Sequence, residues 1–141
     1  MTARILFLCT GNSARSQMAE GLARALVAPD VEVASAGTHP VSVSSFAIAA
    51  LRECGLDISA QRSKHIDDLD GEFDYVITLC DSAAQECPMF PARRARLHWG
   101  LPDPVFAGPD DAARLAVFRQ LRDELDRRLR SWLAEVGLLK M

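Results

Sequence analysis

The chain has 141 residues, 49% hydrophobic and 25% charged, with a formal charge of −3 at neutral pH. That composition describes a folded chain with a sizeable core, and one domain spanning 1–141 is expected. The acidic balance argues against nucleic acid and anionic membrane as partners, and no apolar run approaches the ~20 residues of a membrane span.

Ile5–Leu8 is too short for a secretory signal core, so a cytoplasmic protein is expected, monomeric by default. The four cysteines then read as buried or reactive thiols rather than as a disulfide framework.

Arg4–Cys9 is an apolar run closed by Gly11-Asn12 and predicts a buried strand. A helix follows over about 14–27, where Ala14, Met18, Leu22, Ala25 and Leu26 keep helical spacing and Pro29 ends it. Val31–Ser35 alternates as a second strand, and Gly37–Pro40 is a loop. A second helix is expected over 44–54, with Phe46, Ala50 and Cys54 on one face and Gly55 as its stop. The polar stretch 58–71 predicts a loop with a short helix. Phe73–Leu79 and Ala95–Trp99 predict the third and fourth strands, and Gly100–Pro104 a stiff loop. Leu115, Phe118, Leu121, Leu125, Leu129, Trp132 and Val136 form the buried stripe of a last helix over 111–136.

Strands alternating with helices predict an α/β fold with parallel pairing and right-handed crossovers. Such sheets bind ligands at the carboxyl ends of their strands. Cys9, Cys80 and the loop carrying Asp103 all follow predicted strands, which places three chemically active segments on one edge.

Cys9-Thr10-Gly11-Asn12-Ser13-Ala14-Arg15-Ser16 is the most informative stretch. Backbone N–H groups from Thr10 through Arg15, curled at a helix N-terminus, can converge on a tetrahedral oxyanion. Gly11 is expected to supply an unusual backbone angle, and Asn12 to tolerate a left-handed one and pin the loop with its side chain. Arg15 offers a planar fork to two oxyanion oxygens. The same field favours the Cys9 thiolate, to which Ser16 can donate a hydrogen bond. A second pair of thiols, Cys80 and Cys87, ends another apolar run. Together these residues describe a thiol enzyme that binds a tetrahedral oxyanion and reduces it. Cys54 is expected to pack on the apolar face of the second helix.

The loop, extended through Gln17-Met18-Ala19-Glu20, resembles that of arsenate reductases with the low-molecular-weight tyrosine phosphatase fold. Ser35-Ala36-Gly37, Thr78-Leu79-Cys80, Cys87-Pro88, His98-Trp99-Gly100 and Asp103-Pro104 resemble that family in the same order. The resemblance implies a four-stranded parallel sheet with helices on both faces. It implies that Cys9 attacks arsenate, that Cys80 then attacks the Cys9 sulfur, and that Cys87 resolves the resulting disulfide, with Asp103 as general acid. It implies no tightly bound cofactor. The external thiol reductant would be thioredoxin, or a small thiol with a glutaredoxin-like protein, and phosphate or sulfate would compete with arsenate.

The sequence departs from the family at two places. Many relatives carry a further cysteine where this chain has Ala14. Some relatives bind potassium, for which the matching positions are Asn12, Glu20, Ser35, Ser63 and His65, but an acid stands in those relatives where His65 stands here. A strong potassium effect is therefore not expected. If residues 80–87 formed one regular helix, the two cysteine Cα atoms would lie about 10 Å apart, too far for a disulfide, so oxidation would have to refold that segment. Two other functions remain open: a small phosphoester phosphatase, which needs only Cys9, Arg15 and Asp103, and a thiol switch that senses oxyanions. The phosphatase reading is weakened because Val105-Phe106, rather than a tyrosine, follows the Asp-Pro pair.

Overall fold

The computed structural model describes residues 3–80, 90–105 and 107–140. Cys87, Pro88, the 81–86 segment and Phe106 lie outside the described residues, as do the expectations attached to them. The strands are β1 (Arg4–Cys9), β2 (Glu32–Gly37), β3 (Phe73–Thr78) and β4 (Ala92–His98), and the α-helices are α1 (Arg15–Leu26), α2 (Ser45–Arg52) and α3 (Asp111–Glu135). A single turn of 3-10 helix covers Ile66–Asp68.

The strands form one sheet in the order β2-β1-β3-β4, and every pairing is parallel. β1 lies inside the sheet and is buried on both faces, which is why its sequence is a continuous apolar run rather than an alternating one. Ile5, Phe7 and Cys9 face the larger core with residues of α1, α2 and α3, while Leu6 and Leu8 face a smaller one with Ala36, Phe73 and Val76. The smaller core is backed by Ile66 of the 3-10 turn, by Leu69 just after it and by Phe90.

α3 is anchored by aromatic contacts. Trp132 meets Tyr75 and Trp99 edge-on, with centroids 5.1 and 6.0 Å apart, and Phe118 lies 5.5 Å from Phe46. Phe118 is fully buried, worth about 1.5–3 kcal/mol of transfer free energy. At the surface Glu53 joins α2 to α3, accepting hydrogen bonds from Arg119 Nε and Nη2 and from Arg122 Nη1 at 2.7–3.0 Å. The two guanidinium groups hold the Glu53 carboxyl down to about 2 from its usual 4.5.

Three elements differ from expectation. β4 begins at Ala92, three residues before Ala95, because it is an edge strand whose arginines lie over the sheet instead of facing a core. Arg94 stacks over the Tyr75 ring at 5.9 Å and pairs with Asp74 at 3.7 Å, and Arg93 pairs with Glu72 at 3.7 Å. β2 runs on to Gly37, which the sequence places in a loop. α2 ends at Arg52, so Cys54 falls in the turn before Gly55 and is exposed rather than packed on the helix.

Candidate active site

β1 ends at Cys9 and α1 begins at Arg15, so residues 10–14 make the turn at the carboxyl edge of the sheet. The left-handed residue of that turn is Asn12, with φ of 45°. Gly11 does not have positive φ, contrary to the role the sequence suggests for it. The close approach is made by Gly37 instead. A Cβ there would press on the Thr10 carbonyl and sit 2.8 Å from Cys9 O and 2.9 Å from Asn12 N. β2 can lie against the turn only with glycine at that position.

Two backbone straps take up the outward carbonyls of the turn. In the first, His39 N–H donates to Thr10 O, Val41 N–H to Gly11 O, and Ser44 N–H to Ser13 O, all at 2.9–3.0 Å. In the second, Ser63 Oγ donates to Asn12 O at 2.7 Å, and Lys64 N–H donates to Asn12 Oδ1 at 2.8 Å. Gln17, fully buried, ties the second strap down by donating from Nε2 to Asn12 O, Asn12 Oδ1 and Arg62 O. Gln61 Nε2 in turn donates to Gln17 Oε1 at 2.7 Å. With the carbonyls engaged, the N–H groups of residues 10–14 make no hydrogen bond among the described residues. The N-cap of α1 is Ala14, which has no side chain to cap the first turn. Unpaired N–H groups at a helix N-terminus form an anion cup.

Cys9 lies at the floor of the cup, 2% exposed, with Sγ 2.8 Å from Ser16 Oγ. Either atom can be the donor of that bond while Cys9 is a thiol, and the neighbours fix the rest of the network. Asn12 Oδ1 accepts from the Lys64 backbone N–H, so the Asn12 amide presents its NH2 to Ser16 Oγ at 2.8 Å and to Ser35 Oγ at 2.9 Å. Ser16 accepts from Asn12 and keeps its own proton, which it can donate to a Cys9 thiolate. Ser35 likewise accepts from Asn12 and donates to Glu20 Oε1 at 2.6 Å. A polar chain thus runs Glu20–Ser35–Asn12–Ser16–Cys9 through the interior.

Arg15 is buried, and its Nη1 donates to Leu79 O at 3.3 Å and Leu101 O at 3.0 Å. These carbonyls hold the guanidinium between the end of β3 and the 100–104 loop, with Nη2 3.6 Å from Asp103 Oδ2. Asp103 has two tasks: Oδ1 accepts the Val105 N–H at 3.1 Å, which stiffens the turn, and Oδ2 is left toward Arg15. Cys80 is fully buried just past β3. Since Leu8 pairs with Thr78, Cys9 and Cys80 lie one and two residues beyond the same rung of adjacent strands.

The potassium set is brought together in part. Asn12, Ser35 and Glu20 are linked, and Ser63 bonds to the Asn12 carbonyl. His65 is turned to its own segment, where its Nδ1 caps the Asp67 N–H at 3.0 Å. The donors do not suit a hard cation, which wants free oxygens. Asn12 turns its NH2 inward with its oxygens engaged, and the Lys64 ammonium lies 3.8 Å from Glu20 Oε1. Burial lowers the Lys64 pKa, while Glu20 raises it. Among the described residues no group of His, Cys, Asp and Glu could hold a metal ion. Gln17, Gln61 and Lys64 are absent from the sequence-derived site. A glutamine at a buried position of an otherwise apolar helix face is the one signal that could have revealed them.

Comparison with known proteins fits this geometry. The profile of the low molecular weight phosphotyrosine protein phosphatase family matches residues 4–139. An arsenate reductase of Halalkalibacterium halodurans is 46% identical over 134 residues, 94% of this chain and 96% of the relative. The solved structure of an arsenate reductase in its phosphate-binding state superposes with a TM-score of 0.79 at 34% identity, covering 95% of this chain and 98% of that one. A thioredoxin-dependent arsenate reductase of Corynebacterium glutamicum superposes with a TM-score of 0.71 at 27% identity, covering 96% of this chain and 62% of that one.

Proposed function

Because the chain belongs to the low molecular weight phosphotyrosine protein phosphatase family, we propose that it turns that family's loop to the reduction of arsenate to arsenite. One observation carries the proposal: a second thiol, Cys80, is buried just past the end of β3, the strand next to that of Cys9, with the buried Arg15 tied to the carbonyl of Leu79 beside it. The phosphatase reading leaves that second thiol unexplained. Reduction of As(V) to As(III) takes two electrons, and two thiols joining in one disulfide supply them.

Arsenate sits in the cup, with the N–H groups of Thr10, Gly11, Asn12, Ser13 and Ala14 and the guanidinium of Arg15 on its oxygens. The Cys9 thiolate, held by Ser16, attacks arsenic, and one oxygen leaves as water after taking a proton from Asp103. The Cys80 thiolate then attacks the Cys9 sulfur. The S–As bond breaks, its electron pair stays on arsenic, and arsenite departs from a Cys9–Cys80 disulfide. Cys87 attacks Cys80, releases the Cys9 thiolate and leaves a Cys80–Cys87 disulfide.

An external dithiol of the thioredoxin type reduces that disulfide, consistent with the thioredoxin-dependent relative; a small thiol with a glutaredoxin-like protein is the alternative donor. The enzyme works as a cytoplasmic monomer. No helix among the described residues is long and apolar enough to cross a membrane.

A single turnover tests this. The reduced protein, freed of reductant and mixed with arsenate, is expected to give one arsenite with two thiols lost, and Cys9→Ser and Cys80→Ser variants none. No arsenite, all four thiols retained and hydrolysis of an aryl phosphate would establish a phosphatase instead.

A further inference from the structure

Glu20 is a carboxylate in the protein interior, only 2% exposed, at the far end of the chain of hydrogen bonds that reaches Cys9. Its charge opposes a thiolate at the other end. Two cations face it. Arg24, one turn along α1, reaches Oε2 at 2.8 Å from the surface, where its side chain is 55% exposed. Lys64, on the second strap, approaches Oε1, the oxygen that holds Ser35, at 3.8 Å and with a half-buried side chain. Arg62 lies nearby on the same strap, and its carbonyl accepts from Lys64 Nζ at 2.7 Å, which fixes the ammonium in place. Lys64 therefore touches the chain twice, by its backbone N–H at Asn12 Oδ1 and by its ammonium at Glu20.

We propose that Lys64 is a positioning residue for Cys9: its ammonium cancels the buried Glu20 charge while its backbone orients Asn12, so that Ser16 is held toward a Cys9 thiolate. The chain carries its own cation where the loop needs a positive charge, and this explains why the surrounding oxygens are not arranged for a metal ion. The proposal rests on Cys9 as the reacting thiol, but its decisive test needs no arsenate.

The test is the rate at which iodoacetamide alkylates Cys9, followed by mass spectrometry of its peptide. The charges near the thiol are Arg15 and Asp103 on its own side and Glu20, Arg24, Arg62 and Lys64 behind the loop. In Lys64→Met the rate at pH 7 is expected to fall about three- to tenfold. Lys64→Arg should recover most of the rate. In a Glu20→Gln background Lys64→Met should slow alkylation no further. Glu20→Gln alone should speed it, which keeps the proposal testable if Lys64→Met does not fold. With arsenate, Lys64→Met should lower kcat more than it changes KM. A Lys64→Met protein that melts lower but alkylates Cys9 at the wild-type rate would reduce Lys64 to a structural strap. Equal slowing with and without Glu20 would rule out the charge route. Failure of the Proposed function is distinguishable, since it appears as no arsenite in the single turnover while the Cys9 alkylation rates still respond to Lys64.

Discussion

Replacing Asn12 should cost more stability than any other single change in the loop, and the cost can be assembled from its bonds. The side chain makes four hydrogen bonds: to Ser16 Oγ, to Ser35 Oγ, from Gln17 Nε2 and from the Lys64 N–H. At a net value of about 1 kcal/mol each, Asn12→Ala forfeits about 4 kcal/mol. Alanine at a φ of 45° adds about 1 kcal/mol of backbone strain, which asparagine tolerates better. The sum is about 5 kcal/mol, comparable to the whole stability of many domains. Asn12→Gly loses the same bonds without the strain, so it should be about 1 kcal/mol more stable than Asn12→Ala. Urea denaturation followed by the fluorescence of the two tryptophans, Trp99 and Trp132, measures both. An Asn12→Ala protein within 1 kcal/mol of wild type would refute the view that this side chain organises the loop. Equal stability of the alanine and glycine variants would refute the assignment of strain.

Gly37→Ala forces a Cβ onto the backbone of residues 9–12 and should destabilise by about 1–3 kcal/mol, with turnover falling more than tenfold as the cup shifts; an active, fully stable variant would show that the loop has room to give. Glu53, held at about 2, stabilises the fold fully above its unfolded value of 4.5 and loses that contribution as pH falls from 4.5 through 2. Glu53→Gln should therefore melt below wild type at pH 7, with the gap closing toward pH 2, and a gap independent of pH would contradict the ion pairs. Turnover in potassium chloride and in sodium chloride of equal strength should agree within about twofold, since Lys64 stands beside Glu20. A several-fold gain with potassium alone would mean that the amide and ammonium give way to an ion.

The central strand and the last helix were legible because burial writes a pattern into side chains. β1 matches its expected bounds, and the α3 residues Phe118, Leu121, Leu125, Leu129 and Trp132 are all buried. β4 was shortened because Arg93, Arg94 and Arg96 hide its start: an edge strand is made by backbone pairing and does not need an apolar face. Cys54 was misplaced because helical spacing carried the reading two residues past the point where the helix ends. Cys9, Arg15, Ser16 and Asp103 stand out in the sequence because each bears a functional group, and the structure sets Ser16 against Cys9 and Asp103 near Arg15. The straps were not, because His39, Val41, Ser44 and Lys64 reach the loop through backbone N–H groups, which every residue except proline has.

The loop works as it does because its carbonyls and its N–H groups have different partners. A five-residue turn offers both in equal number, and a free turn would spend its donors on its own acceptors or on water. Here segment 39–44 occupies the carbonyls of Thr10, Gly11 and Ser13, and Ser63 with Gln17 of α1 occupies that of Asn12. The donors are left with an anion as their natural partner. The acidic net charge of the chain gives a dianion no help from a distance, so attraction must be local, from the cup and from a guanidinium fixed by Leu79 O and Leu101 O. Those same two carbonyls follow β3 and β4, which sets Arg15 at the meeting point of three strand ends, next to the segments that carry Cys9 and Cys80. Parallel pairing gathers the strand ends, the straps aim the loop, and the second thiol next to the first turns an anion site into a site for two-electron chemistry.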